Sequence, residues 1–398
     1  MILEVLIASA GAAIGVITGL IPGIHPNLIA AIISSTKDIP LQYIPAFDLA
    51  VFVISLSMAN SISNFLPSCY LGAPESDNCL TVLPGHKYLL KGKAHEAVIL
   101  TTISSTLSLI TIIALAPILL KITPKVYEAI KDYIGYLLIA VIIFLFYKEK
   151  GSKFIAIMVF ILSGILGAIT LNFNNLKEPL LPLLSGLFGI PALVISMKNK
   201  ENIPPQSITY PKLSKKTLFK TQASATIAGY LFSILPSLGP SQAAMISSSI
   251  TKTSAKSFLM LSGALGTINM ALSLITLYSI NKARNGSIAA IETMLTIDTK
   301  TLITIMSLLL TTIPIIIILT LVASRMFVKL IAKVSYMKIS IITILFILSL
   351  VLIISKPIGL LISVVAFSIG SVAYLSNIQK SHLMGALMIP TIIFFMTN

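Results

Sequence analysis

The residues best suited to chemistry lie in two short segments that interrupt apolar sequence. The first is PGIHPN at residues 22–27, and the second is PSLGPSQ at residues 236–242. Proline removes a backbone donor and clashes with the preceding helical turn, so each segment predicts a broken helix. Within a membrane, the N–H and C=O groups freed by a break need partners, which protein, enclosed water or a bound solute can supply.

Each break is expected to present backbone N–H groups to a solute. A helix that begins near Pro26 or Pro240 directs its free N–H groups and the positive end of its dipole into the gap. Such an end can bind a carboxylate, while unwound carbonyl oxygens can bind Na⁺. The alternative is a packing kink without a ligand. The candidate solute-binding residues of the two breaks are Pro22, Gly23, His25, Pro26, Asn27, Pro236, Ser237, Gly239, Pro240, Ser241 and Gln242.

Further polar residues lie within or at the ends of neighbouring apolar runs. Polar groups at membrane depth are costly and commonly line a cavity, and carboxylate oxygens are ligands for hard cations. For the loop carboxylates, simple solvation is the alternative. Ser61, Asn64 and Asn269 are added to the candidate solute-binding residues. The candidate cation-binding residues are Gly72, Glu75, Asp77 and Thr267.

The sequence contains no recognisable catalytic motif. It lacks HExxH, GxSxG and phosphate-loop patterns, and its two cysteines, Cys69 and Cys79, suggest neither a metal site nor a disulfide framework. The four histidines are scattered; His25 could contact an anion or shape its loop, and the others favour structural roles. We therefore predict no catalytic residue, no metal site and no enzyme activity.

Composition indicates a membrane protein. The 398 residues are 56% hydrophobic and 10% charged, with a mean hydropathy of +0.99, whereas soluble domains carry about 25% charged residues. Long apolar runs, such as 338–355 and 357–377, predict an all-α, polytopic protein of about 10–12 transmembrane helices in the cell membrane. The net charge of +15 comes from lysines between these runs, which fits topology control better than nucleic-acid binding.

The chain contains an internal repeat. Residues 15–35 and 229–249 match at both prolines and at their terminal serines, and residues 184–199 match 383–398 around a shared Ile-Pro pair. We therefore divide the chain into a first transmembrane repeat (1–199), a basic linker (200–216) and a second transmembrane repeat (217–398). The basic linker is expected to be cytoplasmic, whereas the outer ends of the two repeats, MILE and MTN, carry no positive charge. If each repeat enters from one side of the membrane and leaves on the other, each crosses an odd number of times, which predicts inverted repeats.

Several of these motifs resemble the TctA family, the large permease subunit of tripartite tricarboxylate transporters, in its archaeal branch. They include Gly15 and Gly19 before PG-x-x-P, whose spacing also predicts close helix packing. SISNFLP (61–67), KGKA (91–94) and ALGTINMALSLITLYSINKARNGS (264–287) extend the similarity over essentially the whole chain. The resemblance implies a multi-pass permease that imports carboxylates with a cation gradient. It also implies a small membrane subunit and an extracytoplasmic binding protein as partners.

Two functional hypotheses follow. The first is a cation-coupled secondary transporter for a small anionic solute, a di- or tricarboxylate, with Na⁺ or H⁺ as the coupling ion and no other cofactor. The second is a translocator of polyprenyl phosphate or another anionic lipid headgroup, which could use the same breaks. Membrane lipid and the solute are the expected partners, and nucleic acid is not.

Overall fold

The structure is a computed structural model of the chain. It describes residues 2–21, 26, 29–30, 33, 43–71, 82–173, 176, 179–198, 204–235, 239–251, 254–331 and 336–397. Every regular element within these residues is a helix, which confirms the all-α class.

The helices are numbered in chain order. They are α1 (Ile2–Gly19), α2 (Ala46–Ser63), α3 (Phe65–Tyr70), α4 (Val82–Leu89), α5 (Ala94–Ile130), α6 (Ile134–Lys148), α7 (Lys153–Leu171), α8 (Leu180–Leu184), α9 (Ile190–Lys198), α10 (Lys215–Ile234), α11 (Pro240–Thr251), α12 (Ala255–Ile280), α13 (Gly286–Glu292), α14 (Thr299–Ile331), α15 (Tyr336–Leu375) and α16 (Gly385–Thr397). A π-helical turn, Ser185–Gly189, joins α8 to α9, and a 3₁₀ turn, Lys380–Met384, precedes α16.

Eight segments of the described residues are long and apolar enough to cross a bilayer. One of them, Ala94–Lys148, has 55 residues; at about 1.5 Å per residue it is longer than two crossings of a hydrocarbon core of about 30 Å. Helix α15 is also interrupted, because Lys356 has φ 59° and ψ −171° immediately before Pro357. The division predicted between 338–355 and 357–377 is therefore present, and the chain is a multi-pass membrane protein.

Helices α1 and α2 pack at very short range along a row of glycines. A side chain at Gly11 or Gly15 would overlap the backbone of α2, and one at Gly19 would overlap the Ser63 hydroxyl. This confirms the close packing that the glycine spacing predicts. In the second half, α10 packs against α12.

The C-terminal helices of the two halves exchange equivalent contacts. Helix α7 packs against α16, and α15 packs against the π-helical turn and α9. The Ser163 hydroxyl donates to the His382 carbonyl oxygen (3.4 Å), and the Ser363 hydroxyl donates to the Pro182 carbonyl oxygen (3.2 Å). Both bonds join a residue of the first half of the chain to a residue of the second half.

A buried contact between a carboxylate and a histidine also joins the two halves. Glu149 follows α6, and His382 lies in the 3₁₀ turn before α16. The Nε2 atom of His382 lies 2.8 Å from a carboxylate oxygen of Glu149, and both side chains are 1% exposed. The backbone N–H groups of Gly151 and Gln379 donate to the same carboxylate. Burial opposes its charge, yet these N–H groups and His382 hold the pKa of Glu149 below its ordinary value.

We expect Glu149→Gln to lower the free energy of unfolding by about 1–3 kcal/mol at neutral pH, because the amide cannot accept all three bonds. Since the folded pKa of Glu149 lies below its ordinary value of 4.5, its stabilisation is present above that value and is lost as the pH falls through the folded pKa. The variant should therefore show a flatter decline in melting temperature below about pH 4.5. Glu128→Gln is the control, because the Glu128 side chain is 69% exposed and its loss should change little. Equal acid profiles for Glu149→Gln and wild type would contradict this role.

Candidate functional site

The second break lies where the proline pattern predicts it. Helix α10 ends at Ile234, Leu235 is extended (φ −85°, ψ 121°), and α11 begins at Pro240. The Ala243 N–H group donates to the Gly239 carbonyl oxygen (3.2 Å), which closes the first turn of α11. Ile234 and Pro240 are buried. The two helix ends that flank the second break therefore lie in the protein interior.

The first break is described only at its edges. Helix α1 ends at Gly19 and continues as a turn through Ile21, and Pro26 is buried and helical. Ala30 belongs to the same contiguous apolar core as Ala243, which follows the second break. A residue that follows each break thus packs in the same hydrophobic core.

Several candidate residues cannot be placed by the structure. Those outside the described residues are Pro22, Gly23, His25, Asn27, Gly72, Glu75, Asp77, Pro236 and Ser237. Ser241 and Gln242 lie in the first turn of α11, and Gly239 immediately precedes it. For all of these, participation in a site remains a prediction.

Helix α2 presents a buried polar row next to the end of α1. Asn60, Ser63 and Asn64 are all 0% exposed. The Asn60 side-chain amide donates to the Thr18 hydroxyl oxygen (3.1 Å), and the Ser63 hydroxyl donates to the Val16 carbonyl oxygen (3.2 Å). These bonds fix the direction in which α1 enters the first break.

The structure places Ser61 beside the candidate residues of α12. A methyl group built at Gly266 would lie 3.8 Å from the Ser61 carbonyl oxygen, and Thr267 is the next residue. The Ser61 hydroxyl donates to the Met58 carbonyl oxygen (2.8 Å), and the Thr267 hydroxyl donates to the Gly263 carbonyl oxygen (3.3 Å). Both hydroxyls therefore bond to their own helix and retain an oxygen that can accept. Asn269 lies on α12 about one turn after Gly266 and is partly buried.

One polar contact between the halves was missed by sequence reasoning. Gln222 of α10 donates to the Ser104 carbonyl oxygen (3.1 Å) and exchanges hydrogen bonds with the Ser108 hydroxyl. The signal was present, because Ser104 and Ser108 lie four residues apart on an apolar helix and must share a face. The Ser105 hydroxyl likewise donates to the Gly263 carbonyl oxygen (2.8 Å), which joins α5 to α12.

An apolar cavity of about 490 Å³ lies beside the second break. Its walls include Val126, Val141, Leu235 and Ile246. These side chains offer no hydrogen bond to a carboxylate, so we do not assign an anionic solute to this cavity.

Comparison with known proteins identifies the family. The model of the tripartite tricarboxylate transporter TctA family matches residues 5–385. The chain belongs to the TctA family. An uncharacterised protein of Methanocaldococcus jannaschii, an archaeon, is 32% identical to it over 406 residues, which cover 99% of each chain. No solved structure matches the chain.

Membership of the TctA family makes the chain a transporter permease of the cell membrane, not an enzyme. The family supplies the large subunit of tripartite transporters, whose other components are a small membrane subunit and a binding protein. The resemblance predicted from the glycine and proline motifs is therefore confirmed, including its extent along the chain.

His95 and Cys69 of this TctA-family chain both lie in the protein interior. The Nδ1 atom of His95 lies 2.8 Å from the Ser324 hydroxyl, which also contacts the Tyr70 hydroxyl at 2.9 Å. Cys69 is fully buried. Within the described residues, no group of three or more histidine, cysteine or acidic side chains is arranged to hold a metal ion.

Proposed function

We propose that this TctA-family chain is the permease of a cation-coupled transporter for a di- or tricarboxylate. The observation that carries the proposal is that α10 ends at Ile234 and α11 begins at Pro240, both of which are buried. A helix start inside the membrane offers free N–H groups and a positive dipole end to a carboxylate, without a charged side chain. The family match favours a carboxylate as the solute.

The proposed solute site combines the two breaks with polar residues of α2 and α12. In it, the helix starts at Pro26 and Pro240 bind solute carboxylates, and Ser61, Asn64 and Asn269 add neutral hydrogen-bonding groups. The proposed coupling ion is Na⁺ or H⁺, with Thr267 and the carboxylates of Glu75 and Asp77 contributing oxygen ligands for a cation.

The proposed architecture places the two breaks at the interface of inverted repeats. The reciprocal contacts of α7 with α16 and of α15 with α9 support a two-fold relation between the halves. We propose that its axis lies in the membrane plane, so that both helix starts point toward one solute chamber. A small membrane subunit and an extracytoplasmic binding protein are the proposed partners.

The lipid-headgroup hypothesis is the second candidate from the sequence. Neither the family match nor the described residues favour it. Competition separates the two hypotheses, because soluble citrate should compete with the transported solute but not with a lipid phosphate.

We expect citrate or succinate to raise the melting temperature of the purified protein, and Na⁺ to enlarge this shift. A ligand at about 100 times its Kd stabilises a protein by about 2.7 kcal/mol, which corresponds to a shift on the order of 3 °C. The measurement is a thermal-shift series with each carboxylate, with and without Na⁺, at constant ionic strength. Choline chloride replaces NaCl in the control. The absence of a shift with every carboxylate in every salt would contradict a carboxylate solute.

A further inference from the structure

The segment that follows α12 folds back along that helix. Asn281 adopts a left-handed conformation (φ 51°) and ends α12. The Arg284 N–H group then donates to the Ser273 hydroxyl (2.9 Å), and the Asn285 amide donates to the sulfur of Met270 (3.2 Å). Ser273 lies seven residues before the end of α12 at Ile280, so Arg284 is carried back by about 10 Å along the helix.

This fold brings Arg284 close to elements of the proposed solute site. Met270, which contacts the residue after Arg284, is the neighbour of Asn269. The Ser57 hydroxyl lies 2.9 Å from the Ser287 hydroxyl, which ties the same segment to α2. The segment therefore contacts both helices that carry Ser61 and Thr267.

The guanidinium group of Arg284 lacks acceptors for part of its donors. Its Nε and Nη2 atoms are buried and donate to no acceptor within the described residues. Its central carbon lies 5.6 Å from the ring of Tyr127 on α5. Burial lowers the pKa of Arg284, whereas Tyr127 acts in the opposite direction; arginine stays charged throughout.

The unpaired donors set Arg284 apart from the other cations. Among the described lysines and arginines, only Arg284 has buried nitrogen atoms without an acceptor. Lys380, which is also partly buried, donates to the carbonyl oxygens of Ala373 and Ile378. Leaving a buried charged donor unpaired is energetically costly, so such a group indicates an acceptor that arrives from outside the protein.

We propose that Arg284 is the cationic anchor for a carboxylate of the transported solute. The inference rests on the proposed function and adds a charged residue to a site otherwise built from helix ends and neutral groups. Nε and one Nη atom of a guanidinium form a planar fork that matches the two oxygens of a carboxylate. The Tyr127 ring lies 5.6 Å from the central carbon of the guanidinium and so limits its orientation.

The test measures anion binding by the purified full-length protein. Citrate, succinate and inorganic phosphate are titrated in a thermal-shift assay against wild type, Arg284→Gln and Arg284→Lys. Losing charge-assisted bonds worth about 1.5–3 kcal/mol should weaken carboxylate binding roughly 10- to 100-fold in Arg284→Gln. Arg284→Lys should retain part of the affinity, because it keeps the charge but not the fork. Lys282→Gln is the control, since Lys282 is exposed two residues away and loses the same charge.

The ligand-free proteins supply a second readout. Because Arg284→Gln removes unpaired buried donors, its melting temperature without anion should equal or exceed that of wild type. Carboxylate binding that is equal in wild type and Arg284→Gln would overturn the inference and leave the proposed function intact. A melting temperature that falls in Arg284→Gln, with unchanged affinity of the remaining folded protein, would show a structural role and overturn it as well. If no carboxylate stabilises wild type, the proposed carboxylate function is wrong. Stabilisation of wild type by phosphate that is lost in Arg284→Gln would still support Arg284 as an anion anchor. If neither the carboxylates nor phosphate stabilise wild type, the proposed function and the role of Arg284 are both overturned.

Discussion

Replacing Pro236 and Pro240 together by alanine should abolish solute uptake. Without the prolines, the backbone donors they lack are restored, and α10 and α11 can continue as one helix. The N–H groups at the start of α11 would then bond within the helix and no longer reach a solute. Because small misplacements of binding groups already cost on the order of 10²-fold in rate, we expect uptake to fall by about 100-fold or more.

The matched controls are Pro117→Ala and Pro314→Ala. Both prolines lie inside continuous helices, α5 and α14, that pass through them without ending. These variants should retain uptake close to that of wild type. The measurement is uptake of labelled citrate into proteoliposomes, normalised to the amount of inserted protein. Normal uptake by the Pro236→Ala/Pro240→Ala variant would show that the break does not form the site.

Gly15→Val should cause a large loss of folded protein. The added carbon would overlap the backbone carbonyl group of Leu56, which cannot rotate away as a side chain could. Helices α1 and α2 would have to separate, which should cost about 3 kcal/mol or more. Melting temperature and the yield of monodisperse protein in detergent measure the effect.

Gly266→Ala serves as the control for Gly15→Val. A methyl group there has only the Ser61 carbonyl oxygen nearby, at 3.8 Å, which is an ordinary contact. Since alanine also favours a helix over glycine, this variant should be as stable as wild type or more stable. Equal stability of Gly15→Val and Gly266→Ala would contradict the close packing of α1 on α2.

Local features of the fold could be predicted because their causes lie in short stretches of sequence. Hydropathy fixes the membrane class, and proline chemistry places the break before Pro240 and the interruption at Lys356. Glycine spacing predicts the contact of α1 with α2. Each depends on backbone geometry within a few residues, so no knowledge of distant contacts is needed.

Long-range contacts could not be predicted in this way. Glu149 and His382 are more than two hundred residues apart, and neither has a distinctive local pattern. Arg284 reaches its position because the chain reverses at Asn281 and binds Ser273 and Met270 of α12. These arrangements depend on how helices pack, which periodicity and composition do not specify.

For the candidate site, sequence reasoning identified a broken helix but not its complete lining. Ser61 and Thr267 were selected for their polarity in apolar runs, and the structure places them on helices that meet. The sequence analysis did not identify Gln222, because its contacts with Ser104 and Ser108 form only when α5 and α10 pack together. Polarity within an apolar run therefore selects candidate residues but does not specify which of them contact one another.

We propose that both broken helices bind the transported anion. A cryo-electron microscopy structure of the protein with citrate and Na⁺ would reveal where the anion binds. Citrate carboxylates should lie within hydrogen-bonding distance of N–H groups in the first turns that follow Pro26 and Pro240. Citrate bound away from both helix starts, or a continuous helix through residues 234–240, would contradict it.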